Sequence, residues 1–375
     1  MLLLHLRHLL IVAWAGIATP CLADIVVGQS APLTGLAADA GNDLAQGTRA
    51  YFAFLNANGG INGQSVKHIV KDDQYQPGAT DINTSILVDQ ENALALVSYF
   101  GTANVAGLLQ QNVLGKAGIP LVGVYSGANS LRETGSPQLF HTRASYVEEV
   151  DKIVTVLKSL GADELGALYQ DDAFGSAGLD AAKKSLQKQG LKLGITASFE
   201  KNTENVEQAA KALAAANPPA ILLIALTRPA ATFIKQFRQM GGKSQLFCLS
   251  TVSHEELVRL NGAANVAGLG VSQVYPGLDA SHMKLIKEYR EVMKKYAPNA
   301  RLSYASLEGF INAKVLTEGI KRAGKNPTRE TVQKALDGLR DFDLGNFKID
   351  FADRQHRGSR FVDLTMMNQQ GALSR

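Results

Sequence analysis

The stretch VSYFGTANVAGLL, residues 97–109, ends an apolar run at Gly101 and continues through small residues into a helix-like sequence. The stretch PLVGVYSGANSL, residues 120–131, repeats this design with Tyr125, Ser126 and Gly127 at its turn. Strands buried on both faces of a parallel sheet are apolar along their whole length, as both runs are. We therefore predict two buried parallel strands, each ending in a tight turn.

Strand-like and helix-like segments alternate along most of the chain, beginning with the strand DIVVGQS and a helix over residues 41–60. This order is typical of parallel sheets covered by helices on both faces. About five strands precede Phe140 and about five follow it, too many for one comfortable sheet. We predict an α/β protein with two doubly wound lobes, and long helices over residues 282–296 and 304–322.

The overall composition favours a folded protein and gives no sign of a polyanionic partner. The chain has 375 residues, of which 46% are hydrophobic and 19% charged, enough for two domains with sizeable cores. The net charge is +4, and the Lys and Arg residues are scattered without a basic block. A nucleic-acid partner is therefore not expected.

The N-terminal sequence MLLLHLRHLLIVAWAGIATPCLA, residues 1–23, predicts a signal peptide cleaved after Ala23 and hence a secreted protein. The alternative is a membrane anchor, but the apolar run is shorter than the ~20 residues that span a bilayer. Cys21 suggests a lipid anchor, but Pro20 precedes it. Without Cys21, Cys248 has no partner for an internal disulfide.

The two turns at residues 101–104 and 125–127 are candidates for a binding site. Ligands of open parallel sheets bind beyond the carboxyl ends of the strands. A helix that begins there offers free N–H groups and partial positive charge. With the hydroxyls of Thr102 and Ser126, this composition favours a small anion, most simply a carboxylate. The alternative is that Thr102 only caps its own helix.

The motifs that would indicate catalysis or a cofactor are incomplete. GIKRAGKN, residues 319–326, imitates a phosphate-binding loop but has Asn for the final Ser or Thr and ends a helix. The histidines lack metal-ligand spacing, and no G-x-S-x-G elbow occurs. The pairs Asp72-Asp73 and Asp171-Asp172 follow strands, where capping is favoured over catalysis. We expect no enzyme activity, no cofactor and no metal.

A set of ordered motifs resembles the periplasmic substrate-binding proteins of branched-chain amino acid type ABC transporters. They are NANGGINGQ, DDQYQP, SYFGTANVAG, GIPLVGVYSGANSLRE, LFHTRASYVEEV, YQDDAFGSAG, GLGVSQVYP and YASLEGFINAKVLTEGIKRAG. The resemblance covers nearly the whole mature chain. It implies the type I periplasmic binding fold, with a three-crossing hinge and ligand held between the lobes. The expected first lobe comprises 24–143 with 275–348, and the second 144–274 with 349–375.

The resemblance also implies which residues contact the ligand. The first lobe holds the ligand carboxylate through the two turns already described, that is, through Gly101, Thr102, Ala103, Tyr125, Ser126 and Gly127. From the second lobe, Phe174 and Thr227 face the cleft. Arg143 and Tyr146, near the first crossing, either touch ligand or brace the hinge.

One position departs from the family pattern. Leucine-type proteins carry a Glu that pairs with the ligand ammonium, after the strand that matches QLFCL, and this chain has Ser250 near that place. A buried ammonium without a carboxylate is costly. Either Asp171, Asp172 or Glu308 replaces the Glu, or the ligand has no ammonium and is a carboxylic acid or an amide.

These patterns together predict a non-catalytic binding protein that captures a small carboxylate-bearing ligand and delivers it to an ABC transporter permease. The alternative is a ligand-sensing subunit of a membrane receptor or sensor kinase with the same fold. An enzyme on this scaffold would need a nucleophile or a metal set in the cleft, and none is found in the sequence.

Overall fold

A computed structural model describes residues 23–374, so the predicted signal peptide lies outside the described residues except for Ala23. Within the described range, the first sheet has five parallel strands in the order β2-β1-β3-β4-β5. They are β1 (Ile25–Ala31), β2 (Val66–Asp72), β3 (Ala95–Phe100), β4 (Leu121–Tyr125) and β5 (Leu139–Phe140).

Helices follow the strands of this sheet, as the alternating sequence pattern predicts. A π-helical turn, Ile86–Gln90, extends the second of these helices. The helices are α1 (Ala38–Ala57), α2 (Pro77–Ser85), α3 (Thr102–Gln110), α4 (Val113–Ala117) and α5 (Asn129–Arg132).

The second lobe continues the same alternation around a second sheet. Its helices are α6 (Tyr146–Ser159), α7 (Ala173–Gln189), α8 (Glu207–Ala216), α9 (Thr227–Gln239), α10 (His254–Asn261) and α11 (Ala263–Val266). Its parallel strands are β6 (Glu164–Asp171), β7 (Lys192–Glu200), β8 (Ala220–Ile224), β9 (Gln245–Cys248) and β10 (Gly270–Gln273). Cys248 is a fully buried free thiol in β9.

The last part of the chain contributes helices to the first lobe and strands to the second. Three helices, α12 (Lys284–Tyr296), α13 (Tyr304–Arg322) and α14 (Arg329–Asp337), share a buried core with the first sheet. A short hairpin follows, made of β11 (Phe342–Asp343) and β12 (Lys348–Ile349). The chain then adds two antiparallel edge strands to the second sheet, β13 (Asp363–Met367) and β14 (Leu373–Ser374). The predicted two-lobe α/β fold is confirmed, and this antiparallel edge is an addition to it.

Within residues 23–374 the chain passes between the two sheets three times, after β5, after β10 and between β12 and β13. The predicted lobe boundaries fall in or beside these passages and stay predictions. Ile349 and Phe351 are buried in the first-lobe core, and Gly358 donates a backbone hydrogen bond to His141. These contacts favour a third boundary after Gly358, not the predicted one at 348/349.

A paired irregularity in β3 and β4 sets the geometry of their carboxyl ends. The strand register skips Ser98 and Gly123, which have φ of +52° and +79°. Asn312 of α13 donates to the Ser98 hydroxyl at 3.1 Å, and a Cβ on Gly123 would lie 2.2 Å from the Asn312 amide carbon. A positive φ is strained for serine, so contacts from α13 hold the strand ends in this conformation.

The half-buried His68 predicts a loss of stability in mild acid. Both of its ring nitrogens are buried without a hydrogen-bond partner in the described part of the chain. Burial, aided by Arg49, lowers its pKa to about 3. The unfolded chain binds a proton at His68 below about pH 6.5, whereas the folded chain does not until about pH 3. Stability therefore falls as pH decreases through this window, by about 2 kcal/mol at pH 5.

Urea unfolding at pH 7 and pH 5 measures this loss. The wild type should lose about 2 kcal/mol more than His68→Phe between these two pH values. The Phe ring retains the edge contact with Phe52, whose centroid lies 5.4 Å from that of His68. His282→Phe, at an exposed position, is the matched control and should behave as the wild type does. Equal losses in wild type and His68→Phe would contradict this prediction.

Candidate ligand-binding cleft

A narrow cavity lies where the carboxyl ends of both sheets meet. Residues of both lobes form its wall, so the cavity exists only while the two lobes are packed together. The lining residues are Tyr75, Phe100, Gly101, Thr102 and Tyr125 from the first lobe, and Tyr146, Phe174, Leu226 and Thr251 from the second.

The two turns predicted from the sequence meet at this cavity. The Thr102 and Ser126 hydroxyls lie 2.8 Å apart, and both residues are buried. Gly101 is the N-cap of α3 with φ of +92°, and a Cβ there would lie 2.6 Å from the Tyr75 ring. The cap makes no side-chain hydrogen bond. The alternative that Thr102 caps its helix is therefore wrong, since its hydroxyl bonds to Ser126.

Aromatic rings form most of the remaining wall. In the first lobe, Phe100 and Tyr125 stack with centroids 4.8 Å apart, and Tyr75 meets Phe100 edge-on at 5.6 Å. In the second lobe, Tyr146 and Phe174 pack at 5.6 Å. Rings bury large apolar areas while phenols supply hydrogen bonds. The wall suits a compact ligand with an apolar body.

A buried cation joins the lobes beside the cavity. Arg143 lies at the first crossing and is 1% exposed. Its guanidinium pairs with Glu308 of α13 at 3.2 Å and with Glu149 of α6 at 3.8 Å. It also donates a hydrogen bond to the Ser250 hydroxyl, and it lies 4.8 Å from the centre of the Tyr125 ring. One side chain thus contacts elements of both lobes.

Burial and charge act in opposite directions in this cluster. Burial raises the pKa of Glu308 to about 7, although Arg143 lowers it. Burial also disfavours the charged form of Arg143, but the Glu308 and Glu149 carboxylates outweigh it and raise the pKa of the guanidinium. Arg143 therefore stays charged, while burial makes Glu308 a weaker acid than an exposed glutamate.

A second buried arginine, Arg132, holds the turn that follows β4. It donates hydrogen bonds to the Ala128 carbonyl at 2.9 Å and the Arg143 carbonyl at 3.1 Å, with longer contacts to Ser126 and Ala144. Burial lowers its pKa to about 10, and Arg143 adds to this effect. Arg132 thereby ties the Ser126 turn to the first crossing. Arg132 was not among the predicted site residues, because no local sequence motif distinguishes it.

The structure brings about half of the predicted site residues to the cavity wall. Gly101, Thr102, Tyr125, Tyr146 and Phe174 line it. The remainder lie beside the cavity without lining it, namely Ala103, Ser126, Gly127, Thr227, Ser250 and Asp172.

Most of these residues support the wall from behind. Ser126 bonds to Thr102, the Gly127 carbonyl accepts from Tyr146 N–H, and Thr227 accepts from Ser253 N–H at 3.1 Å. Ala103 is half-buried in α3. These contacts fix the shape of the wall.

Asp172 and Ser250 do not line the cavity, and both have partners within the protein. Asp172 is the N-cap of α7 and accepts from Phe174 N–H at 2.9 Å; it also pairs with Lys201 at 3.7 Å. The Ser250 hydroxyl faces Arg143, and the Ser250 carbonyl accepts from the Tyr125 hydroxyl at 3.3 Å. Asp172 thus caps α7 and Ser250 bridges the lobes, while their predicted roles as ligand contacts stay predictions.

Sequence reasoning missed Tyr75, Phe100 and Thr251 as lining residues. Tyr75 reaches the cavity because its own φ is +62° and Asp73 accepts from its N–H at 3.0 Å. No spacing rule predicts a positive φ at a tyrosine. The available signals were the Asp72-Asp73 pair, which ends β2, and the apolar run that contains Phe100.

A larger groove, of about 830 Å³, lies on the outer face of the second lobe between α9 and α10. Ile234, Arg238 and Leu260 are among its lining residues. Neither the first lobe nor the carboxyl ends of the strands contribute residues to this groove. The smaller cavity between the lobes is therefore the better candidate site for a ligand.

The two lobes are in contact around the cavity, which makes this a closed conformation. Gln170 donates to the Tyr75 hydroxyl at 3.3 Å, and the Lys201 ammonium lies 4.2 Å from the centre of the Tyr75 ring. Arg301 of the first lobe pairs with Glu256 of α10 at 3.3 Å. These contacts form only when the lobes approach each other.

The fold and the cleft define a two-lobed α/β protein that encloses a ligand between its lobes. The family model for periplasmic binding proteins matches residues 24–372. The chain therefore belongs to the periplasmic binding protein family, a family of substrate-binding proteins. The resemblance of the sequence to periplasmic substrate-binding proteins is thereby confirmed.

Individual relatives agree with this assignment. Leu/Ile/Val-binding protein homolog 7 of Brucella abortus is 23% identical, with 98% of this chain and 95% of the relative covered. A substrate-binding periplasmic protein from Ralstonia solanacearum is 39% identical with a TM-score of 0.90, covering 93% and 99% of the two chains. A branched-chain amino acid ABC transporter protein of Thermus thermophilus, 20% identical with a TM-score of 0.85 and 94% and 96% coverage, shares the fold.

Two further properties concern the residues that the structure describes. None of their helices is both long and apolar enough to cross a membrane. They also contain no cluster of three His, Cys, Asp or Glu side chains that could hold a metal ion.

The ion pair between Arg301 and Glu256 joins the two lobes and should stabilise the closed conformation measurably. Glu256→Gln removes the charge that Arg301 meets from the other lobe, while Arg301 retains its contact with Asp43 at 2.7 Å. The closed state should lose about 1 kcal/mol, in the range of partly exposed pairs. Small-angle scattering should report a larger radius of gyration, and ligand affinity should fall severalfold.

Glu330→Gln is the matched control for this change. It breaks an exposed ion pair with Lys334, within helix α14. It should change neither the radius of gyration nor the affinity. If Glu256→Gln and Glu330→Gln behave alike, the pair does not contribute to closure.

Proposed function

We propose that this protein captures a small carboxylate-bearing ligand, an amino acid or a related organic acid or amide, between its two lobes. It then delivers the ligand to the membrane permease of an ABC transporter. The predicted signal peptide and the family both support a periplasmic location. Neighbours of the same fold from Thermus thermophilus and Streptococcus pneumoniae hold valine and isoleucine, which are carboxylate ligands.

The observation that carries this proposal is the pair of turns at the carboxyl ends of β3 and β4. The first N–H groups of a helix have no partner within the helix, and those of α3 begin at Thr102 beside the cavity. The paired hydroxyls of Thr102 and Ser126 lie at the same end. One of these hydroxyls donates to the other, so the pair leaves at most one hydroxyl proton for a ligand. That proton, the free N–H groups of α3 and the partial positive charge of the helix N-terminus suit a carboxylate.

Binding and closure follow from this geometry. An open form would take the carboxylate on the first lobe, where the donors are already positioned. The second lobe then covers the ligand body with Tyr146, Phe174 and Leu226. Closure excludes water, which strengthens the polar contacts around the ligand. The closed surface is what a permease would recognise.

The donor pair predicts a large effect on ligand affinity. The double variant Thr102→Val with Ser126→Ala keeps the volume of the wall nearly unchanged but removes both hydroxyls. Binding should weaken by roughly 2 kcal/mol or more, because a buried carboxylate loses its partners. Isothermal titration with the ligand identified below measures this change.

The ligand is identified by mass spectrometry of small molecules that remain bound through purification, followed by a thermal-shift screen of amino acids and carboxylic acids. Lys325→Ala is the control, because Lys325 follows the end of α13 outside the cavity wall. Its affinity should equal that of the wild type. Unchanged affinity in the double variant would refute the proposed anion site.

A further inference from the structure

The cavity wall is neutral in charge. Its polar groups are hydroxyls, phenols and backbone, and its other side chains are apolar. No Asp, Glu, Lys or Arg belongs to this wall among the residues that the structure describes. A carboxylate finds donors there at α3, but an ammonium finds no anionic acceptor in the wall itself.

The acidic residues nearest the cavity each pair with groups of the protein, although one carboxylate oxygen of Glu149 and one of Glu308 lack a hydrogen-bond partner in the described part of the chain. Glu149 accepts from Ser250 N–H at 2.8 Å and from the Ser272 hydroxyl at 2.6 Å. Glu308 pairs with Arg143 at 3.2 Å. Asp172 caps α7 and pairs with Lys201.

Asp73 is also committed. It accepts from the Ser30 hydroxyl at 2.8 Å and from the Thr80 hydroxyl at 3.1 Å. None of Asp73, Asp172, Glu149 and Glu308 lines the cavity, so none of them stands in its wall in place of the Glu that Ser250 replaces.

Aromatic faces are the other common acceptors for a buried ammonium. Two rings of the wall already carry cations of the protein itself. The Lys201 ammonium lies 4.2 Å from the centre of the Tyr75 ring, and the Arg143 guanidinium lies 4.8 Å from that of Tyr125. The other face of Tyr125 stacks on Phe100. Both cations are paired with carboxylates, Lys201 with Asp172 and Arg143 with Glu308 and Glu149, so they occupy these ring faces without adding net positive charge.

We propose that the cleft selects carboxylic acids with an apolar body and no ammonium group, and that it discriminates against the corresponding α-amino acids. This inference rests on the proposed function, because it assumes that the carboxylate binds at the α3 turn. Discrimination arises in the neutral wall and in the ring faces that Lys201 and Arg143 already occupy. An amino acid would have to bury its ammonium without a counter-ion, which is costly.

Matched ligand pairs test the inference on the wild-type protein. Leucine is compared with 4-methylpentanoate and phenylalanine with 3-phenylpropanoate, since each pair differs only in the α-amino group. Calorimetric titration should show tighter binding of at least one acid, by roughly tenfold or more over its amino acid. The amide 4-methylpentanamide is included because it keeps the shape of the acid without its charge.

The outcomes separate this inference from the proposed function. If the amino acids bind as tightly as the acids or more tightly, the inference is overturned while carboxylate capture stands. If the amide binds as tightly as its acid, carboxylate recognition at the α3 turn is wrong. If no acid, amino acid or amide binds, both proposals fail together.

A variant pair tests the electrostatic cause. Thr251 lines the cavity from the second lobe, so Thr251→Asp adds a carboxylate to the wall. It should shift the acid-to-amino-acid affinity ratio toward the amino acid by roughly tenfold. Thr251→Asn has the same size without the charge and should keep the preference for the acid. Circular dichroism confirms folding of both variants, and an unchanged ratio in folded Thr251→Asp would overturn the electrostatic explanation.

Discussion

The buried guanidinium of Arg143 is the constraint on which the arrangement of the cleft depends. A buried cation must be surrounded by acceptors, and here they come from separate elements, Glu308 of α13, Glu149 of α6 and the Ser250 hydroxyl after β9. The two carboxylates belong to different lobes. Satisfying one charge therefore fixes the relative position of the first-lobe helix, the second-lobe helix and the strand end that border the cavity.

The first lobe is built as a rigid receptor and the second as its cover. In the first lobe, α13 holds the irregular strand ends through Asn312, and Arg132 holds the turn after β4. These contacts position the donors of α3 and Ser126 before any ligand arrives. The second lobe contributes mainly apolar surface. It also supplies Lys201, which contacts the Tyr75 ring, and Glu256, which pairs with Arg301. Because the first-lobe donors are already fixed in place, ligand binding loses less conformational entropy.

Much of the fold could be predicted from the sequence because it depends on local periodicity. The apolar runs gave the buried strands, the alternation gave the α/β class, and Gly101 and Gly127 marked the turns. The short antiparallel strand β14 was not predicted, because two residues carry no periodicity. Tyr75 was missed because a positive φ at a tyrosine follows from its surroundings and not from its spacing.

The sequence by itself determined the strands, the helices, the two hydroxyl-bearing turns and the absence of the usual Glu near Ser250. Only the tertiary structure decided what stands in place of that Glu. Ser250 meets Arg143 across 107 residues of chain, and Arg143 meets Glu308 across 165. Contacts at such separations depend on how the lobes pack, and spacing along the chain carries no record of them. For the same physical reason, the neutral wall became visible only once both lobes were in place.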